Sequence, residues 1–599
     1  MPETVSEFLD AYRKERARPT ELIARTFQRL RDYADPAMFI STREAEAMAE
    51  AAALEASGDR NLPLYGIPVA VKDNIDVAGA PTTAACPAFA YTPAQDATSV
   101  ARLKQAGAVI IGKTNLDQFA TGLVGVRSPY GTPRNPFNPA LIPGGSSSGS
   151  AVAISAGIVP LALGTDTAGS GRVPAGMNNI VGLKPSLGLI STAGVVPACR
   201  SLDCVSIFAL TADDAFRALE VMAGPDGRDA FSRALHLGAL SDLMPALRIA
   251  IPQGADRLFF DDERAQASFS HAIKIAERLG AKIVEIDLAP FFETARLLYE
   301  GPWVAERYAV VGKFLEQHPA DVHPVTSKVI GAGRTPTAAD AFRGLYRLHE
   351  LRKQTAATMA QFDAMMVPTV PAAYTVADIE ADPVVLNSRL GTYTNFVNLL
   401  DLAAFSAPCS FGEDGTPFGM TFIAPAGRDA FLASIGRAFH ALSGLPLGAS
   451  QNAMPPLSPL GAKPHSGEIA LAVVGAHLSG MPLNGELRQF NARFLEMAKT
   501  APDYKLFELP GSKPAKPGLL RVSRGAGTAI DIEVWALSAE AFGKFVDAVP
   551  PPLSIGTLQL QDGRNVKGFL VEAFAVADAR DISYFGGWRA YATEMAKAG

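Results

Sequence analysis

The stretch GGSSSGSAVAISAGIVPLALGTDTAGSGR, residues 144–172, decides how the chain folds. It opens and closes on Gly and Ser, and between them lie a small-residue run and a short apolar run. The small-residue run reads as a helix that can lie close against a sheet. IVPLALGTD, residues 158–166, is apolar without alternation and bounded by turn residues, the pattern of a strand buried on both faces. Similar units flank it. YGIPVAVKDN, 65–74, is a buried strand running into a turn. TSVARLKQAGAVIIGKTN, 98–115, is a helix, a glycine turn and a strand. LRIAIPQG from Leu247, a helix over about Asp262 to Leu279, and AKIVEIDL from Ala281 form another strand–helix–strand unit, and FDAMMVPTVP and GMTFIAP are further buried strands. Phe8, Leu9 and Tyr12, then Leu22, Ile23, Phe27 and Leu30, mark two amphipathic helices near the start. Alternating elements with apolar strands predict an α/β fold, a mixed β-sheet sandwiched by helices.

At 599 residues the chain exceeds one core. The segment 445–468, LPLGASQNAMPPLSPLGAKPHSGE, is rich in Pro, Gly and Ser and has no periodicity. It divides the chain into a first domain over 1–445, a linker over 446–466 and a small α+β domain over 467–599. Strand-like runs return there in IALAVVGAH, GLLRVSR, AIDIEVWAL and GFLVEAFAV, with the helix SAEAFGKFVDAV among them. Apolar residues at 48% against 19% charged exclude a disordered chain, and a net charge of −6 argues against a nucleic-acid or polybasic membrane partner. No window reaches the ~18 apolar residues of a membrane span, and the charged start has no signal-peptide core. Cys86, Cys199, Cys204 and Cys409 are too sparse for a disulfide scaffold and lack metal-type spacing. The expectation is a cytoplasmic protein with reduced thiols and no metal or cofactor.

Gly-Ser runs are ordinarily turns. The 144–150 run lacks the Lys-Ser/Thr end of a phosphate loop. Nucleophilic serine needs a base, and none of the eight histidines lies in the first 235 residues. A distant histidine could still be recruited, because triads are spatial. Lys72, at the end of an apolar strand, is the rival. A free ammonium is no base at neutral pH, but burial without a counter-charge lowers its pKa and lets it deprotonate a hydroxyl. A second serine between lysine and nucleophile can relay the proton.

At these residues the chain resembles the amidase signature family. The match runs through LYGIPVAVKDNIDVAGAPTT, AGAVIIGKTNLDQFATG, SPYGTPRNP, the whole of 144–188, MMVPTVP and DGTPFGMTFIA, covering most of 60–425. The resemblance implies roles by position: Ser170 as nucleophile, Ser146 as a relay serine held through a cis peptide, Lys72 as general base. It implies an oxyanion hole from the backbone N–H groups of Thr167, Ala168, Gly169 and Ser170, fixed donors for charge that develops only in the transition state. Ala168 stands where glycine is common, so left-handed backbone there would be strained; Ser148 also departs from a common glycine. Asp166 and Arg172 read as an ion pair that fixes the loop, and Ser147 as a local backbone partner. The Cys199–Cys204 pair is incidental.

The family hydrolyses many amides, so the fold alone does not name the substrate. LLYEGPWVAERYAVV spaces Tyr299, Trp303 and Arg307 by four residues, one stripe if the segment is helical throughout; alternatively Gly301-Pro302 starts the helix and leaves Tyr299 on a loop. The final domain, with VVGAHLSGMPLN, IEVWALSAEAFGKFV, PLSIGTLQLQDGRNVKGFLVE and DISYFGGWRAY, resembles the appended domain of the allophanate hydrolases, as does the total length. That resemblance implies cleavage of allophanate, a small anionic amide, to ammonia and N-carboxycarbamate, ending in ammonia and carbon dioxide. It implies Arg307 on the carboxylate, Tyr299 limiting the pocket, and Gly122, Val124 and Gly125 lining the site through backbone. It further implies a homodimer. With no biotin-carboxylase block in the sequence, a separate urea carboxylase or triazine-ring pathway enzyme would supply the substrate. The last domain is also similar to the γ-glutamyl cyclotransferase-like fold. There His477 is either a site residue assisting decarboxylation of the released product or a plain loop histidine, and Glu533 reads as structural. The rival readings are another small-amide amidase of malonamidase type and one component of a glutamine-dependent amidotransferase.

Overall fold

A computed structural model describes residues 4–511 and 513–598; the expected domain limits at 1 and 599 lie outside them. The chain divides into two compact units, one holding most of the residues up to Leu457 and the other Ser458 onward, with short pieces near 238–248 and 280–282.

The first unit is built on an eleven-stranded mixed sheet. Its order is Phe39–Thr42, Val109–Thr114, Pro68–Lys72, Leu161–Asp166, Cys204–Ala209, Val181–Lys184, Leu402–Phe411, Pro417–Pro425, Ala364–Pro368, Arg248–Pro252 and Lys282–Ile286. The strand Pro68–Lys72 pairs in parallel with both of its neighbours, and Leu161–Asp166 turns antiparallel toward Cys204–Ala209. Every residue of these central strands is buried, as the apolar runs of Pro68–Lys72 and Leu161–Asp166 predicted; Cys204–Ala209 was not anticipated. The helices Ser148–Ser155, Ala212–Met222, Glu263–Arg278 and Asp429–Ser443 pack on the sheet. The helix anticipated from about Asp262 to Leu279 is Glu263–Arg278, with Asp262 as its cap, accepting from the N–H groups of Arg264 and Ala265. Ile23, Phe27, Val109, Ile111 and Ile154 belong to one core cluster, which Leu447 joins from the Pro- and Ser-rich stretch. Asn179 donates to the carbonyls of Pro446 and Gly448. From residue 454 to 464 the backbone is irregular.

The second unit is β-rich. A five-stranded sheet runs in the order Arg493–Lys499, Asp531–Ser538, Glu468–Val473, Asn565–Val571, Leu553–Gln559, beside a three-stranded one. Glu533 is buried and accepts from the N–H and hydroxyl of Ser479, Trp535 Nε1 and Arg589, a closed network that suits a structural carboxylate. All four cysteines are buried and free. No helix among the described residues is long and apolar enough to cross a membrane.

Candidate active site

The helix Ser148–Ser155 is buried at every position. Its small side chains bring the Gly-Ser loop before it against the ends of the central strands. Lys72 is the last residue of one strand, and Thr165 and Asp166 close the next, so parallel pairing sets them side by side. Lys72 is fully buried, and its Nζ reaches Ser146 Oγ and Thr165 Oγ1, each at 2.7 Å. Burial pushes its pKa down to about 7, while Asp117, Asp166 and Asp203 pull the other way. Ser146 follows a cis peptide from Gly145. Ser147 bonds the backbone of Thr165, the local partner expected.

Ser170 is 3% exposed, and its hydroxyl donates to the Gly122 carbonyl at 3.5 Å rather than to Ser146. One expectation for the loop around it is corrected, and the strain considered at Ala168 does not arise. Ala168 is not in the left-handed region; Gly169 is, at φ 132°, where a Cβ would come within 2.5 Å of Thr394 Oγ1. The Gly169 N–H is not a free oxyanion donor, because it points into Asp166 Oδ1 at 2.9 Å. The N–H groups of Thr167, Ala168 and Ser170 have no acceptor among the described residues.

Asp166 and Arg172 form a fully buried two-pronged pair, 2.9 and 3.0 Å. Asp166 also takes the Gly171 N–H, and the arginine donates to the Thr394 carbonyl and Asn398 Oδ1. Asn398 Nδ2 returns to the carbonyls of Asp166 and Leu202. The pair therefore frames the loop. Asp203 accepts from the Thr167 hydroxyl and the N–H groups of Ala198 and Cys199; burial raises its pKa to about 6 against those hydrogen bonds.

The segment 120–125 lines this region differently from the expectation. Val124 and Gly125 turn their N–H groups into Asp117 Oδ2, at 3.2 and 2.9 Å, and Arg127 N–H takes Oδ1 at 3.0 Å. Their amides are spent on a loop anchor, which leaves the Gly122 carbonyl as the group that faces Ser170.

Tyr299 and Arg307 do not share one helix. The chain breaks at Gly301-Pro302, so Tyr299 lies in Ala289–Glu300 rather than on a loop, and Arg307 lies in Trp303–Gln317. The corner still brings them together: Arg307 Nη2 lies 3.5 Å from the Tyr299 hydroxyl, and the guanidinium carbon lies 5.4 Å from the ring centroid. Arg307 is 2% exposed, and its Nη1 reaches Thr121 Oγ1 at 3.3 Å. No carboxylate pairs with it among the described residues, and its Nε has no partner. Since Thr121 adjoins Gly122, Arg307 and Ser170 meet the same short loop. Tyr299 lines a cavity with Phe292, Arg296, Ser388, Gly391 and Asn395.

His477 belongs to the second unit. It lies 2.8 Å from Glu486, stacks on Phe569, and lines a cavity with Lys516 and Phe545. Burial holds its pKa below the ordinary histidine value, against the pull of Glu486.

Sequence reasoning missed Thr165, Asp117, Asp203 and Asn398. Thr165 stands inside the 144–172 stretch itself; Asp117 and Asp203 lie on loops and Asn398 in the short helix Phe396–Leu399, and no spacing reveals what they pair with.

The Amidase family profile matches residues 21–432, and that of the Allophanate hydrolase C-terminal domain matches 469–593. The urea amidolyase of Lachancea kluyveri is 44% identical over 93% of this chain, which spans 31% of that protein's length. A glutamyl-tRNA(Gln) amidotransferase component from Symbiobacterium thermophilum is 38% identical, over 64% of this chain and 84% of its own. The structure of the Kluyveromyces lactis allophanate hydrolase matches with a TM-score of 0.77 at 41% identity, covering 99% of each chain. With a profile matched over more than half its length and a mixed sheet that carries the motif residues at its strand ends, the chain belongs to the amidase family.

Proposed function

We propose that this chain is an allophanate hydrolase. The observation that carries the reading is Arg307, a buried guanidinium with no carboxylate partner among the described residues, one loop away from a serine beside unpaired backbone amides. A small anionic amide supplies what each group lacks. Its carboxylate pairs with Arg307, and its amide carbonyl oxygen enters the amides of Thr167, Ala168 and Ser170. Tyr299 closes the pocket around small substrates. The 41% identity to the Kluyveromyces lactis allophanate hydrolase supports the substrate, and the C-terminal domain match supports it over the malonamidase and amidotransferase readings.

In this mechanism Ser170 turns from the Gly122 carbonyl to Ser146 and attacks the amide carbon. Its proton passes through the Ser146 hydroxyl to neutral Lys72. The tetrahedral intermediate collapses as the leaving nitrogen takes that proton and departs as ammonia. Water enters the same way and frees N-carboxycarbamate from the ester. We place the loss of carbon dioxide from that product at His477, supported by its cavity and Glu486. The same reading includes a cytoplasmic homodimer acting downstream of a urea-carboxylating or triazine-degrading activity.

The test is ammonia release from fresh allophanate by the purified chain, beside malonamate, glutamine and urea. Preference for allophanate is expected, with Ser170→Ala slower by about 10⁴-fold. Turnover of glutamine in preference to allophanate sinks the reading.

A further inference from the structure

Asp117 is fully buried and sits between two segments of the site. Its Oδ2 accepts from the N–H groups of Val124 and Gly125, and its Oδ1 from that of Arg127. On the other side its own N–H donates to the Ser146 carbonyl at 3.1 Å. Gly145 is pressed against the carboxylate: a Cβ there would come within 2.1 Å of Asp117 Oδ2. The Gly145 N–H completes the join by donating to the Leu123 carbonyl at 2.8 Å. One segment carries the Gly122 carbonyl that meets Ser170, the other the Ser146 hydroxyl that meets Lys72. Neither Gly122 nor Gly145 has a side chain to hold its peptide in place, so the carboxylate is the peg between them.

The peg is also a charge. Among the described residues every hydrogen bond to it comes from backbone N–H. The Arg127 guanidinium acts on it only through space and donates instead to the carbonyls of Thr121 and Pro383. The other acids about Lys72 are held differently. Asp166 is paired with Arg172, and Asp73, the residue after Lys72, with Lys113 at 3.1 Å. Asp203 accepts from the Thr167 hydroxyl and two N–H groups. Of the acids that act on Lys72, Asp117 pulls hardest toward the protonated form. When Ser170 attacks, its proton lands on Lys72 and makes an ammonium in a buried place. A carboxylate close by, with no cation bound to it, offsets the cost of that charge.

We infer that Asp117 is a positioning residue of the proton relay: its carboxylate fixes the Ser146 peptide against the Gly122 loop and balances the charge that Lys72 takes up. The inference rests on the Ser170–Ser146–Lys72 mechanism above and not on which amide is cleaved. Asp117 acts through Ser146 and Lys72.

The experiment records kcat/KM on allophanate against pH for the full chain, Asp117→Asn and Gly145→Ala. Asp117→Asn keeps the shape and removes the charge. It is expected to move the inflection about one pH unit toward acid, because Lys72 then gives up its proton more readily. The plateau above the inflection is expected to fall at least about tenfold, since the weaker base drives proton transfer less. A merely structural role would lower the plateau and leave the inflection where it is. Gly145→Ala does the reverse: it pushes a methyl against the carboxylate without touching its charge. It is expected to lower the plateau about tenfold with the inflection unmoved and KM within about twofold. An unmoved inflection in Asp117→Asn overturns the inference, and so does a wild-type rate in Gly145→Ala, which decides the matter alone where Asp117→Asn does not fold. Should the wild type ignore allophanate, the same profiles on the amide it does cleave test Asp117, so the substrate reading and this one fail separately.

Discussion

Two arginines are buried within the same unit, and they are held in opposite ways. Arg172 grips Asp166 through two nitrogens and adds Thr394 and Asn398. Arg307 touches two hydroxyls and an aromatic face and contacts no carboxylate among the described residues, with Asp203 and Glu306 acting on it only through space. A paired buried charge is a fastener, because removing either partner strands the other. One that no carboxylate touches keeps its hydrogen-bonding nitrogens open to an arriving anion. The difference separates a motif arginine beside the nucleophile, which is structural, from one more than a hundred residues away, to which the proposed function gives the substrate's carboxylate.

The widest split between the two comes from matched substitutions. Arg307→Leu should lower kcat/KM on allophanate about 10²-fold with unfolding stability unchanged or higher. Arg172→Leu should destabilise the fold by about 3–5 kcal/mol, because Asp166 is left buried and alone. Equal losses of stability, measured by denaturant unfolding, would erase the distinction. Lys72 sharpens it from a third side, as a buried cation that escapes the problem by giving up its proton. With its pKa at about 7, kcat/KM should climb with pH through an inflection near 7, because the base acts only when neutral. The folded state then binds fewer protons than the unfolded one between about 7 and the ordinary 10.5, so stability should also rise with pH across that window. Lys72→Met should abolish activity and remove that slope; a slope that survives would assign the titration elsewhere. The smallest effect is expected from Tyr299→Phe, which loses one 3.5 Å contact to Arg307 but keeps the ring beneath it. A rise in KM of about threefold would fit a trimming role, measured by steady-state kinetics.

Much of this was legible in the residues. Lys72 and the small-residue helix follow from apolar strands and from chemistry that needs a base where no histidine stands, while the choice of Ser146 within its serine run comes from the family resemblance. The break at Gly301-Pro302 was one of two readings left open, and proline decided it. What the residues hid is how amides are spent. Gly169, Val124 and Gly125 carry N–H groups suited to a ligand, yet Asp166 and Asp117 take them first. Such pairing depends on loops closing in space, and no periodicity encodes it. In the second unit the strands Arg493–Lys499 and Tyr504–Glu508 escaped notice, because their polar, partly exposed residues blur the apolar signal.

Lys72, Thr165 and Asp166 sit at the ends of adjacent interior strands, with Asp203 beside the start of the next. Catalytic groups are often carried on segments that open long before the rest of the molecule does. Here the base stands at the end of a fully buried strand, and the serine loops are tied to the neighbouring strand end through Thr165 and Asp166, so the centre is expected to have no melting transition of its own. Inactivation and collapse of the unit become one event: an activity assay followed through a denaturant series would trace the same curve as the ellipticity of the amidase unit, and turnover itself becomes a gauge of folding.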